Sequence, residues 1–176
     1  MTGKVIIILL LLVIAVISDL RSYRIYNLPI AIGLSAGLIL NFIVGGFEGF
    51  LLSLLASVIP ALLLIALFAL RMLGAGDIKL FCAIGAIMGI RFVLYAMAFS
   101  FLAGGVMAIG LMLVRGNMKQ RLAHIATYIK TIFFTHSFMP YTDFDDKSDG
   151  AKFHFSLAIT AGCSIQIILS FMVSCL

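Results

Sequence analysis

Residues 28–70 read LPIAIGLSAGLILNFIVGGFEGFLLSLLASVIPALLLIALFAL, with Glu48 the one charged residue among them. A helix that crosses a bilayer needs roughly 20 apolar residues. The stretch therefore divides into two spans, 28–46 and 48–70, with Glu48 in the short turn between them. Pro60 lies inside the second span, where a kink is expected and neighbouring helices tolerate one. Working outward, further apolar segments run over about 3–18, 78–90, 92–114 and 153–175. Six spans result. Five is the alternative, because only Gly89-Ile90-Arg91 separates the fourth segment from the fifth.

Composition agrees. The chain has 176 residues, 64% of them hydrophobic and 11% charged, against about 25% charged in soluble domains. One small core cannot hide that much apolar surface, so the expected fold is an all-α, polytopic integral membrane bundle forming a single domain over 1–176. The lipid bilayer is its solvent. The first segment could pass for a signal peptide, with Ser18 near a cleavage position. Its small-residue pattern is poor, and extension over Thr2 to Leu20 lets it span with modest mismatch. Cys82, Cys163 and Cys175 all lie in apolar segments without CxxC spacing, so each reads as a small buried side chain.

Charge sets the orientation. Loops after the first, third and fifth spans carry Arg21, Arg24, Arg71, Lys79, Arg115, Lys119, Arg121, Lys130, Lys147 and Lys152, against Lys4 and Arg91 on the other side. Cytoplasmic loops are enriched in Lys and Arg. The odd loops are therefore expected inside and the N-terminus outside. The loop 115–152 holds KQRLAHIATYIKTIFF, in which Leu122, Ile125, Ile129, Ile132 and Phe133 fall on one arc. That pattern suits a helix lying in the interface or packed on the bundle's end. The acidic YTDFDDKSDG that follows lacks the spacing of a calcium loop.

Two acidic residues stand apart from this loop. Asp19 ends the first apolar run and Asp77 begins the fourth. Carboxylates against a membrane core are costly and mark function by default. The topology puts both on the cytoplasmic face. Each also has a plain reading: Asp19 as the partner of Arg21 or Arg24, Asp77 as a helix N-cap after Gly74-Ala75-Gly76. Together they suggest paired-carboxylate chemistry, in which one group is ionised and activates water while the other keeps its proton and polarises a carbonyl. Apolar surroundings raise such pKa values, and a helix N-terminus at Asp77 opposes the rise. His124, His136 and His154 are scattered, and no GxSxG elbow, phosphate loop or basic–aromatic stripe is present, so no metal, cofactor or nucleic acid is expected.

Three blocks resemble the prepilin peptidases, a family of GxGD membrane aspartyl proteases, and within it the short Tad-system type. They are Asp19-Leu20-Arg21 with Arg24-Ile25-Tyr26-Asn27, then Gly74-Ala75-Gly76-Asp77-Ile78-Lys79-Leu80, and more weakly Phe155 to Gly162. Tyr26 stands where proline is usual, and His154-Phe155 where Pro-Tyr is common. The resemblance implies that Asp19 and Asp77 are the catalytic pair and that Gly74 and Gly76 shape the segment presenting Asp77. Asn27 and Lys79 would support substrate or structure. The implied substrate is a Flp-like prepilin precursor with an N-terminal leader and a hydrophobic helix. Cleavage would occur at the cytoplasmic face of a bacterial or archaeal plasma membrane, without the methyltransferase activity of larger members. The rivals are a GxGD protease for preflagellin-like or signal-peptide substrates, a small transporter with aspartate ion sites, and a structural secretion-assembly subunit. The near absence of charge inside the spans counts against the transporter.

Overall fold

The computed structural model describes residues 2–22, 26–70, 72–114 and 155–175, and all regular structure among them is helical. Five helices follow in order: α1 (Thr2–Ser22), α2 (Asn27–Ala69), α3 (Ala75–Met88), α4 (Ile90–Val114) and α5 (Phe155–Cys175). By length and composition, α1, α2, α4 and α5 can each cross a membrane. The expected loop helix within 115–152 lies outside the described residues.

α2 is two passes, not one. A straight helix of 43 residues would be about 65 Å long, over twice the hydrocarbon thickness. The backbone breaks at Gly46, whose φ of 60° and ψ of −149° leave the helical region. Glycine alone occupies that conformation without strain. Beyond it the chain doubles back. Asn41 Nδ2 lies 3.4 Å from Ser53 Oγ, although these positions would sit about 18 Å apart on a straight helix. Phe42 and Phe50 also meet edge to face, with centroids 6.3 Å apart. The break therefore falls where the two spans were divided. Pro60 does not interrupt the helix: the backbone dihedrals there stay helical.

Pro60 acts through a carbonyl instead. Having no N–H, it cannot donate to Ala56 O, four residues earlier. That oxygen faces α3, where any side chain at Gly85 would strike it. On the other arm, a Cβ at Gly37 would come within 2.7–2.9 Å of the Ala86–Ile87 backbone. Glycines thus let α3 lie backbone to backbone between the two arms of α2, the close packing that small residues permit in bilayers.

α3 is the shortest described helix and the most buried. With 14 residues it is about 21 Å long. Leu80, Phe81, Ala83, Ile84, Ala86 and Ile87 are all fully buried. Ile8 and Leu12 of α1, Val93 and Ala96 of α4, and Ile159 and Cys163 of α5 join all of these but Ala86 in one apolar cluster. Cys163 is buried and Cys82 partly so, both as free thiols. Because α1 contributes to this core, it is a working member of the bundle. Gly89, at φ 93°, is the single residue between α3 and α4 and needs glycine for the reversal. The fourth and fifth segments are therefore separate, and the described residues make six helical passes. Leu28, Val44, Leu62, Leu102, Val106 and Val173 all point outward with large exposure. Such an apolar exterior suits lipid and not water.

The antiparallel passes define two ends. Lys4, Gly46, Glu48 and Gly89 lie at one, and Asp19, Asn27, Asp77 and Ser156 at the other. Lys4 Nζ to Asn41 Oδ1 at 2.6 Å ties the first end. Ser156 Oγ to Asp19 Oδ2 at 2.5 Å ties the second.

Candidate active site

Asp19 is carried by α1, and not by the loop after it as its position at the end of the run suggested. The helix continues to Ser22, because leaving it at residue 19 would free backbone groups beside the apolar core. A helical position fixes the direction of the side chain, which is partly buried. Ser18 beside it is buried and donates to Ala15 O at 3.1 Å.

Asp77 lies in the first turn of α3 but does not cap it. The N-cap is Gly74, at φ −74° and ψ 146°, a conformation open to any residue. Asp77 is therefore at the third helical position, where a carboxylate reaches back to the N-cap amide, as in half of a capping box. A side chain at Gly74 would have Asp77 Oδ2 at 3.0 Å. The glycine thus leaves room for close approach of the carboxylate, and does not serve an unusual backbone. Gly76 falls inside the helix rather than in the preceding loop. Leu73 is buried, and Ile78 packs on the same cluster. These are the two positions of a hydrophobic staple, which fixes how the chain enters the helix.

The two carboxylates meet electrostatically. Burial pushes the Asp77 carboxyl well above the usual range, the Asp19 charge pushes it further, and a backbone hydrogen bond from Gly74 draws it partly back; it stands at about 7. Asp77 precedes the apolar body of α3, so its proton is held at the edge of the spanning region. The 57 residues between the aspartates in sequence are therefore closed up by the fold. An arrangement of this kind holds one proton between two acids, which suits general acid–base work on a carbonyl.

Asn27 and Lys79 are brought together, Lys79 Nζ donating to Asn27 Oδ1 at 2.9 Å on the exposed rim. They tie the head of α2 to the second turn of α3. Ser22 Oγ and Tyr26 Oη are 3.3 Å apart, a contact that a proline at 26 would lack. Arg24, Ile25 and His154 lie outside the described residues.

Sequence reasoning did not single out Ser156 or Asn41. Ser156 is fully buried and bonds to Asp19 from the start of α5. Its one signal was a place in the weak block opening the last span. Asn41 had none beyond being a polar residue in an apolar run. Two cavities of about 520 and 430 Å³ share Met88 and Arg91 in their linings, with Lys4 in the first and Asn41 in the second. They lie at the end away from the aspartates. Among the described residues, no three His, Cys, Asp or Glu side chains gather to hold a metal ion.

Residues 6–109 match the family model described as the type IV leader peptidase family. The match runs from α1 into α4 and includes Asp19 and Asp77, but not α5. No curated protein and no solved structure matches the chain.

Proposed function

The chain belongs to the type IV leader peptidase family, and from that premise we propose that it is an aspartic endopeptidase whose catalytic pair is Asp19 and Asp77. Membership makes it a membrane-embedded protease. It also sets aside the transporter and assembly-subunit readings. The observation that carries the aspartic mechanism is the mutual reach of two carboxylates brought from different helices.

Below about pH 7, Asp77 carries the proton. Asp19 accepts a short hydrogen bond from Ser156, which suits an ionised acceptor. Asp19 takes a proton from water as its oxygen bonds to the scissile carbonyl carbon. The carbonyl π pair moves to oxygen, which receives the Asp77 proton. On collapse the C–N bond breaks, the leaving nitrogen takes the proton from Asp19, and a hydroxyl proton returns to Asp77. Both carboxyls end as they began.

The substrate we assign is the leader junction of a Flp-like prepilin. The excess of Lys and Arg in the odd loops supports cleavage at the cytoplasmic face, in a bacterial or archaeal plasma membrane. The precursor's apolar helix packs against the lipid-facing spans, so that proximity supplies part of the rate. The test is co-expression with a Flp-type prepilin, reading leader removal by mass. Asp19→Asn and Asp77→Asn should each insert normally and leave the precursor intact. Full cleavage by either variant overturns the pair, and cleavage of a preflagellin-like precursor in place of the prepilin overturns the substrate.

A further inference from the structure

Ser156 differs from the other described hydroxyls of α4 and α5 whose hydrogen bonds run along the helix. Ser100 donates to Ala96 O at 2.6 Å, Thr160 to Ser156 O at 2.9 Å, and Ser164 to Thr160 O at 2.8 Å. Each bonds back along its own helix. Ser156 is the second residue of α5, so no carbonyl one turn earlier belongs to its helix. Its single hydrogen goes instead to Asp19 Oδ2, 137 positions away, at 2.5 Å. It is the shortest of these hydroxyl bonds and the only one of them that ends on a carboxylate.

The donor is held rigidly. Ser156 is 0% exposed, as are Ala158, Ile159 and Cys163 on the same helix. Phe155 stacks at a tilt on Phe101, with centroids 5.7 Å apart. A side chain at Gly162 would strike the Ser100 backbone, so α5 sits tight on α4. The hydroxyl thus has a fixed place from which to aim one oxygen of Asp19.

We infer that Ser156 is a positioning residue: from α5 it holds Asp19 as the oriented, ionised member of the pair. This makes α5, which lies beyond the matched residues 6–109, part of the site. The inference rests on the aspartate-pair reading. Without the hydroxyl, Asp19 turns more freely and its charged form loses a donor, so the pair shares its proton less unequally. Around this end of α1 the described charged or titratable groups are Asp77 and Lys79 on α3, Tyr26 ahead of α2, and Arg21 on α1 itself. All are unchanged by a substitution at 156.

The experiment uses the full chain in liposomes with a co-reconstituted Flp-type prepilin, comparing Ser156→Ala, Ser164→Ala and Asp77→Asn. Ser156→Ala should lower kcat about tenfold with KM within about twofold, and should move the acid limb of the pH profile upward by about one unit. Ser164→Ala, which removes a hydroxyl from the same helix without touching Asp19, should leave both unchanged. If Ser156→Ala does not fold, Ser156→Cys keeps a weaker donor of similar size and should show the same changes at smaller amplitude. An unmoved acid limb, or an equal kcat loss in Ser164→Ala, overturns the positioning role. If Asp77→Asn cleaves like the wild type, the aspartate pair itself has failed, whatever Ser156 does. An inactive Asp77→Asn beside a Ser156→Ala with wild-type kinetics sinks the inference alone.

Discussion

The bundle holds a polar cluster at each end, and the two are built on opposite terms. At the Lys4 end, donors and acceptors match. Lys4 Nζ meets Asn41 Oδ1 at 2.6 Å; Asn41 Nδ2 meets Ala86 O at 2.7 Å and Gly37 O at 3.0 Å; Ser53 Oγ meets Ala86 O at 2.6 Å. At the Asp77 end, burial and the charge of Asp19 together make Asp77 hold its proton to about pH 7. A buried polar group is cheap when satisfied and costly when like charges share the space. The first cluster fastens α1, both arms of α2 and α3. The second stores a proton, which fastening does not require.

The sharpest break of this comparison is Asp77→Asn or Asp19→Asn. Either should cut leader cleavage by roughly 10³-fold, within the range of lost acid–base catalysis. Thermal stability should hold or rise, since a neutral amide does not carry the cost of a buried acidic group beside a second one. A large stability loss with residual cleavage would make the aspartates structural. Next comes Asn41→Ala, expected to cost about 2 kcal/mol by stranding Lys4 and taking the side-chain donor from Gly37 O, while Ala86 O keeps Ser53. Unfolding titration in detergent reads that loss, and turnover per folded molecule should stay level. Loss of turnover without loss of stability would place chemistry at the wrong end.

The pH response sharpens the contrast. Burial and the charge of Asp19 raise the Asp77 pKa, so the acid is present below about 7 and lost above it. The rate should therefore fall on the alkaline side near pH 7. An infrared titration of Asp77 in Asp19→Asn should show its pKa lowered, because one raising cause is removed. An unchanged value would mean that burial alone holds the proton. The smallest effect belongs to Lys79→Ala. Its bond to Asn27 is exposed, so stability should shift by no more than about 0.5 kcal/mol. A tenfold loss of cleavage there would move Lys79 from the rim into substrate binding.

Much of the fold was legible because membrane insertion depends on local composition. The division at residues 46–48 was visible in Gly-Gly-Phe-Glu and is where the backbone turns. The reversal at Gly89 was visible as a break whose consequence periodicity could not decide. Pro60 leaves the helix unbroken and frees a carbonyl that faces a neighbouring helix, a role its residue type did not announce. The plain alternative for Asp77, a helix cap, rested on residue type alone. Its true place three residues into the helix depends on where the helix starts, which is the least local part of such a reading.

The sequence by itself determined that this is an all-α, polytopic membrane protein with two costly aspartates at the edges of its apolar runs. Each of those conclusions is a sum over neighbouring residues: apolar length, charge bias, and the cost of a carboxylate beside lipid. Only the tertiary structure decided that Asp77 keeps its proton and that Ser156 bonds to Asp19. Both depend on how closely helices approach, and that is set by contacts such as Gly85 on Ala56 and Gly162 on Ser100. No local sum contains them, because each partner is chosen by packing from a distant part of the chain.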